Sequence, residues 1–411
     1  MSILDVSAAI LAITAILAWA SRRFTSLPPT IGVMGASLAL SGLLLGLDAV
    51  GISVPRDYEK ALTNAIDFSQ VVMQGMLSIL LFASALHVDV RALKTYRWPV
   101  GLLALFGTTA SMLLIGYGLY RLLPATGIHL PLGYCLAFGA LLAPTDPISV
   151  LGILRSAGAP ASLEVVISGE SLFNDGVAIA LFSLSLSMTG TGSAPGIGQA
   201  LLVMLREAGG GIALGLVLGF VAFRMLASLD SYQDEVLITL AAVVAGYALA
   251  LRLGVSGPLA MVVAGLIVGS KGREQAMSTT TREHVDMFWE LLDAILNAVL
   301  FMLLGLGVVA IPLPAGLVPA GVLVIALVLG SRLLTVGLPV AMTRRLAGLP
   351  HGAWQVLTWG GLRGGVSVAL ALSLPGGGER NLVIALTYMV AVFSILVQGL
   401  TIGPLVRRLA K

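Results

Sequence analysis

Charge is scarce in this chain of 411 residues: Asp, Glu, Lys and Arg make up 10% of it, against about 25% in an average soluble domain. A water-soluble fold of this size needs far more polar surface, so a soluble enzyme is excluded. Intrinsic disorder is excluded too, because disordered chains are poor in apolar residues and this one is 58% hydrophobic. Cysteine is nearly absent. Cys135 stands alone in an apolar run, so there is neither an intrachain disulfide nor a cysteine metal site. The four histidines, His87, His129, His284 and His351, are too far apart to show ligand spacing. Basic residues are no more clustered than that, so the net charge of +3 does not point to nucleic acid. The N-terminus lacks the basic stretch of a cleaved signal peptide and reads as the start of the first helix.

Long unbroken apolar runs fill the space, and the mean hydropathy is +1.01. The runs do not alternate as lipid-facing strands would, so the chain is an all-α membrane protein. Hydropathy predicts thirteen spans, with cores near 4–20, 29–47, 69–86, 98–120, 131–154, 163–188, 208–228, 235–251, 255–269, 286–310, 315–342, 353–374 and 381–405. The segment 190–207 is too polar and glycine-rich to cross and reads as loop or interfacial helix. With the N-terminus outside, 15 of the 23 basic residues fall in inside loops and 6 in outside loops. That bias predicts an outside N-terminus and a cytoplasmic C-terminus. Gly211, Gly215 and Gly219 recur every four residues in the seventh span and read as a close-packing stripe.

Two spans carry breaks. The fifth contains Pro144-Thr145-Asp146-Pro147, whose prolines free backbone carbonyls near Ala140 and Ala143. In lipid such carbonyls need another partner, and a bound cation would serve. The twelfth contains Gly360-Gly361-Leu362-Arg363-Gly364-Gly365. It lacks the Gly-Lys-Ser/Thr ending of a phosphate-binding loop. The offset of seven spans gives repeats of opposite topology, and paired broken helices in inverted repeats mark a transporter's midplane site.

The sixth span holds Ser168, Gly169, Glu170, Ser171, Asn174 and Asp175 deep in an apolar run, where ionisable groups are costly and functional. Ser168, Ser171 and Asp175 share one helical stripe, while Glu170 and Asn174 lie about 100° round. Asp175 and Glu170 therefore face different partners. The clear acids within spans are Asp146, Glu170 and Asp175, and the bases are Arg332 and Arg363. A permanent ion pair between Glu170 and one of the arginines leaves Asp146 and Asp175 as the titratable pair. A hard cation such as Na⁺ takes oxygen ligands. The two carboxylates, the Thr145 and Ser171 hydroxyls and the freed carbonyls of the fifth span are the candidates.

Thr145-Asp146-Pro147, the string Gly169-Glu170-Ser171-Leu172-Phe173-Asn174-Asp175, Gly361-Leu362-Arg363-Gly364, and Leu80-Leu81-Phe82 to Ala85-Leu86-His87-Val88-Asp89 resemble the signatures of cation/proton antiporters. The branch they resemble is the NhaP and NHE type of sodium/proton antiporter, and the resemblance spans essentially the whole chain. It implies a homodimer of thirteen-helix subunits in a bacterial-type inner membrane. Helices 1–3 (residues 1–97) and 8–10 (230–310) would form the dimerisation domain. Helices 4–6 (98–189) and 11–13 (311–411) would form a mobile core, with 190–229 holding the linker and helix 7. It implies that Asp175 carries ion and proton, Asp146 assists, Thr145 and Ser171 coordinate, and Asn174 is the neutral neighbour typical of the electroneutral branch. It pairs Glu170 with Arg332 and puts Arg363 at the helix crossing. No cofactor is implied, only transported Na⁺ (also Li⁺) and H⁺ in 1:1 exchange. Some relatives bring an acid from helix 3 to the ion, but none lies between Asp67 and Asp89 here. Many carry a cytosolic regulatory tail. The chain runs only to Lys411, so no regulation of that kind is expected.

A K⁺/H⁺ antiporter of the same architecture is the near alternative, because spacing does not set a cation radius. A cation channel would conduct without proton coupling. An intramembrane aspartyl protease would need a Gly-x-Gly-Asp motif, which is absent.

Overall fold

The structure is a computed structural model that describes residues 3–25, 27–49, 75–191, 198, 202–203, 205–273, 276–307, 317–343 and 348–409. Among the described residues there is no strand. Among the same residues nine helices are long and apolar enough to cross a membrane: α1 (Ile3–Phe24), α2 (Pro29–Ala49), α4 (Arg97–Thr126), α6 (Ala161–Thr191), α7 (Leu205–Leu226), α8 (Tyr232–Leu253), α10 (Thr279–Gly307), α11 (Leu317–Thr343) and α13 (Gly378–Leu409). Shorter apolar helices complete the order: α3 (Leu77–Leu86) and α9 (Gly257–Ser270). Two helices are interrupted: α5, as α5a (Leu132–Leu141) and α5b (Pro147–Ser156), and α12, as α12a (Ala353–Trp359) and α12b (Gly365–Leu372). Among the described residues the all-α expectation with breaks in the fifth and twelfth helices is met, as nine candidate spans, two shorter apolar helices and two interrupted ones.

Span edges differ in an instructive way. α10 begins at Thr279 rather than near 286, because its first turns are polar and escape a hydropathy window. Residues 69–74, 308–310 and 315–316 of the expected spans lie outside the described residues. So do 192–197, 199–201 and 204 of the 190–207 segment, whereas 205–207 begin α7.

Local chemistry explains the breaks. α5a ends at Leu141 because Pro144 and Pro147 cannot donate to the preceding turn. α12a ends at Gly360, and Gly364 is extended at φ −105°, ψ −164° before α12b starts. The two breaks cross, and the Asp146 amide donates to the Leu362 carbonyl at 2.8 Å. Each break thereby meets part of the other's unmet backbone demand, as lipid requires.

Helix packing falls into two groups. α4, α5, α6, α11, α12b and α13 pack on one another, with Ile115, Phe138, Leu141 and Val324 fully buried between them. α1, α2 and α10 pack together, and α3, α7, α8 and α9 join α10 around Phe82, Met261 and Trp289. The α7 stripe packs as its spacing predicts: a Cβ at Gly211 or Gly215 would come within 2.5 Å of the Ser256 or Ala260 carbonyl of α9. Only glycine permits that approach.

Candidate functional site

Glu170 and Arg332 meet across the core. Arg332 Nη1 lies 2.5 Å from Glu170 Oε1 and Nη2 lies 3.1 Å from Oε2, a two-pronged pair closed from water on both sides. Arg332 Nη2 also donates to the Leu357 carbonyl of α12a at 3.2 Å. The pair thus ties α6, α11 and the first half of α12. α11 widens into a π turn over Leu333–Gly337, directly after Arg332.

Arg363 does something else. Its Nη1 donates to the Ala143 and Pro144 carbonyls, both at 2.7 Å, and its backbone amide donates to Ser394 Oγ at 3.0 Å. The Ala140 carbonyl takes the Ala143 amide at 3.2 Å. The two carbonyls expected to be freed in α5 therefore each accept a hydrogen bond within the protein, that of Ala143 from a guanidinium that is always charged and that of Ala140 from a backbone amide.

The remaining residues gather at the crossing. Thr145 Oγ1 and Ser171 Oγ are 2.9 Å apart, and Asn174 Nδ2 donates to Thr145 Oγ1 at 3.1 Å. Ser168, Ser171 and Asp175 all line one cavity, together with Thr145 and Asp146 of α5. Glu170, Asn174, Arg332 and Arg363 are not among its walls. The helical period had separated Asp175 from Glu170, and the structure gives them different surroundings. Asp175 is 7% exposed, and its carboxylate interacts electrostatically with Asp146 and accepts no hydrogen bond from a described residue. Gly364 lets α12b approach, since a Cβ there would come 2.7 Å from Asp146 Cβ. The cavity sits between the two packing groups: α5, α6 and α12b on one side, α3 and α10 on the other.

A family model described as sodium/hydrogen exchanger, transmembrane, matches residues 9–408. The chain belongs to the transmembrane sodium/hydrogen exchanger family. It is 50% identical over 410 residues to the Na⁺/H⁺ antiporter NhaP of Pseudomonas aeruginosa, covering 99% of this chain and 97% of that one. It is 36% identical to the Na⁺/H⁺ antiporter NhaH of Halobacillus dabanensis, with 91% of each covered. In fold it is similar to the sodium proton antiporter MjNhaP1 from Methanocaldococcus jannaschii at pH 8, with a TM-score of 0.75 at 20% identity over the whole of both chains. The fold is therefore NhaP-like, and the family is one of transporters.

For this exchanger-family chain the sequence reading had overlooked several groups. Ser84 of α3, Asn297 of α10 and Ser367 of α12b also line the cavity. Acids within spans were undercounted as well. α10 carries Asp286, paired with Arg273; Glu290, 3.8 Å from His87; and Asp293, which interacts electrostatically with Asp146. Glu235 is buried at the start of α8. The i, i+4 spacing of Asp293 and Asn297 was an available signal, since both lie inside the expected span 286–310. Chemically, the cavity offers two carboxylates and several neutral oxygens, suited to a hard monovalent cation or a proton. Among the described residues no three His, Cys, Asp or Glu side chains gather as a metal site. The resemblance had offered Asp146, Asp175, Ser171 and Thr145 as ligands of transported Na⁺, and these four share the cavity.

Proposed function

We propose that this protein exchanges Na⁺, and also Li⁺, for H⁺, with cation and proton competing for Asp175. The observation that carries the reading is the Asp175 carboxylate itself. It stands in a cavity between two helix groups, beside a second carboxylate and without a hydrogen-bonded partner among the described residues. A buried carboxylate left so is costly unless something binds it. Family membership and the names of the relatives support Na⁺ and H⁺ as the cargo.

In this reading α4–α6 and α11–α13 move as a core against α1–α3 and α8–α10, carrying Asp175 from one face to the other. Asp146 stays ionised and steadies the cation, and Thr145 and Ser171 offer hydroxyl oxygens. Asn174 orients Thr145 without adding a titratable group. Glu170, Arg332 and Arg363 hold the broken core together. The protein works as a transporter and not as an enzyme, needs no cofactor, and forms a homodimer in the bacterial inner membrane. Its N-terminus lies outside and its C-terminus in the cytoplasm, as the distribution of Lys and Arg predicts.

The test is exchange in proteoliposomes with Na⁺, Li⁺ and K⁺ in parallel. Wild type moves protons in response to Na⁺ and Li⁺ gradients, and Asp175→Asn is folded but inactive. Substantial cation-driven proton movement by that variant overturns the assignment of Asp175. Exchange driven by K⁺ and not by Na⁺ makes the protein a K⁺/H⁺ antiporter instead.

A further inference from the structure

One polar side chain at the crossing has no role so far. Ser367, the third residue of α12b, is 1% exposed and lines the cavity that holds Asp146 and Asp175. Its hydroxyl has no hydrogen-bond partner among the described residues. Unsatisfied buried hydroxyls are rare and call for an explanation.

Serine and threonine within helices ordinarily bond back to the carbonyl three or four residues earlier. They do so in this protein. Ser185 donates to Leu181 at 2.8 Å, Ser270 to Leu266 at 2.6 Å, Thr387 to Val383 at 2.7 Å and Ser373, in the last turn of this same segment, to Leu370 at 2.8 Å. For Ser367 the corresponding residues are Gly364 and Arg363. They belong to the break, where Gly364 is extended and α12b has not begun. The interruption of α12 therefore deprives Ser367 of its local acceptor and leaves its oxygen lone pairs unused inside the cavity. Ser171, across the site, has its hydroxyl engaged with Thr145.

We infer that Ser367 is a further ligand of the transported cation, contributed by the second broken helix. The inference rests on the reading that Asp175 holds the cargo. The cation is then gripped from α5, α6 and α12b together, and a neutral oxygen from α12b adds cation affinity without adding a proton site. It replaces in part the α5 carbonyls that Arg363 has taken.

The experiment compares Ser367→Ala, Ser367→Thr and Ser367→Cys with wild type and Asp175→Asn in proteoliposomes. It also follows Na⁺-induced thermal stabilisation of the purified proteins, since a ligand of the native state raises its melting temperature. Loss of one neutral ligand weakens the apparent Na⁺ KM by about 3- to 10-fold. The maximal rate stays near wild type. Na⁺ stabilisation shrinks, while melting without Na⁺ is unchanged. Thr restores the KM; Cys, nearly isosteric but with a soft sulfur unsuited to Na⁺, does not. The smaller Li⁺ holds fewer oxygens, so the Na⁺ KM rises more than the Li⁺ KM, a change that a packing role would not produce. A hydroxyl does not titrate in this range, so the pH dependence keeps its slope. Unchanged Na⁺ KM and unchanged Na⁺ stabilisation in both Ala and Cys variants overturn the inference. So does lowered baseline melting with an unchanged KM in the Cys variant, which assigns the hydroxyl to packing. If Asp175→Asn is dead while the Ser367 variants behave as wild type, only this inference fails. If Asp175→Asn still transports, the reading of the whole site fails.

Discussion

Removing either member of the Glu170–Arg332 pair should destabilise the protein more than removing the proposed carrier Asp175. The two side chains are 2% and 7% exposed, and they are joined by contacts of 2.5 and 3.1 Å. Truncating Glu170 to Ala leaves a guanidinium in the protein interior with the Leu357 carbonyl as its remaining acceptor among the described residues, where Arg332 Nε already lacks a partner. Stranding one charge of a buried pair costs about 3–5 kcal/mol, which is about two to three and a half powers of ten in the folding equilibrium. Arg332→Ala strands the Glu170 carboxylate in the same way. Removing both charges with apolar replacements strands nothing, so the double variant Glu170→Leu/Arg332→Leu should cost far less than the two singles added together. Asp175→Asn loses no hydrogen bond from a described residue and should melt near wild type. The assay is thermal unfolding of the purified proteins in one detergent, with Arg363→Ala alongside. That variant unmasks the Ala143 and Pro144 carbonyls and leaves the Glu170 contact in place. If Glu170→Ala and Arg332→Ala melt with wild type, or if the double variant costs the full sum, the pair is not what holds α6 to α11.

Two further outcomes follow from the same geometry. With proton and Na⁺ competing for Asp175 as proposed, apparent Na⁺ affinity should fall as pH falls. Where the protonated form dominates, the apparent KM rises about tenfold per pH unit. A KM that stays flat from pH 5 to 8 in proteoliposome exchange would show separate sites. Gly364→Ala puts a Cβ 2.7 Å from Asp146 Cβ, so it should cost about 1–3 kcal/mol by overpacking and suppress transport by shifting Asp146. Wild-type flux in that variant would show that the crossing has slack.

Much of this was legible in the sequence because a bilayer leaves few options. Thirteen spans followed from apolar length, and both breaks followed from proline and glycine inside those lengths. The stripe of Ser168, Ser171 and Asp175 followed from the helical period, and all three face the cavity. What stayed hidden was tertiary. The sequence shows that Pro144 and Pro147 free carbonyls, but not that Arg363, more than two hundred residues away, would take those of Ala143 and Pro144. Ser367 reads as an ordinary helical serine until the extended Gly364 shows that its back-bonding partner is missing. Asp293 and Asn297 lay inside the expected span, but no break or signature motif set them apart, and only the packing of α10 against the crossing brings Asn297 to the cavity.

The arrangement of charge bears on how exchange is kept tight. Among the described residues, the ionisable groups in the middle of the core helices are Asp146, Glu170, Asp175, Arg332 and Arg363. Glu170 and Arg332 cancel each other. Arg363 lies at the same crossing as Asp146, bonded to the Ala143 and Pro144 carbonyls, and on the proposed reading it is set against the Asp146 charge. That leaves Asp175. In the proposed cycle Asp175 loaded with one Na⁺ or one proton is neutral, and the core crosses with the same charge in either direction. Empty, it carries a bare carboxylate, whose passage through an apolar barrier is costly. On the proposed reading neutrality permits both loaded crossings and blocks the empty one, so exchange is expected to be obligatory as well as 1:1. No lysine lies between Lys271 and Lys411 to supply a second proton, and arginine does not deprotonate in this range. Na⁺-driven proton movement in tight vesicles should therefore be indifferent to an imposed K⁺/valinomycin potential. On a supported membrane it should give a binding transient and no sustained current. A sustained, potential-sensitive current would mean that a second proton moves. Asp146, the other carboxylate in the cavity, would then be the residue to substitute first, and an Asp146→Asn variant that abolished the current while keeping exchange would locate that proton.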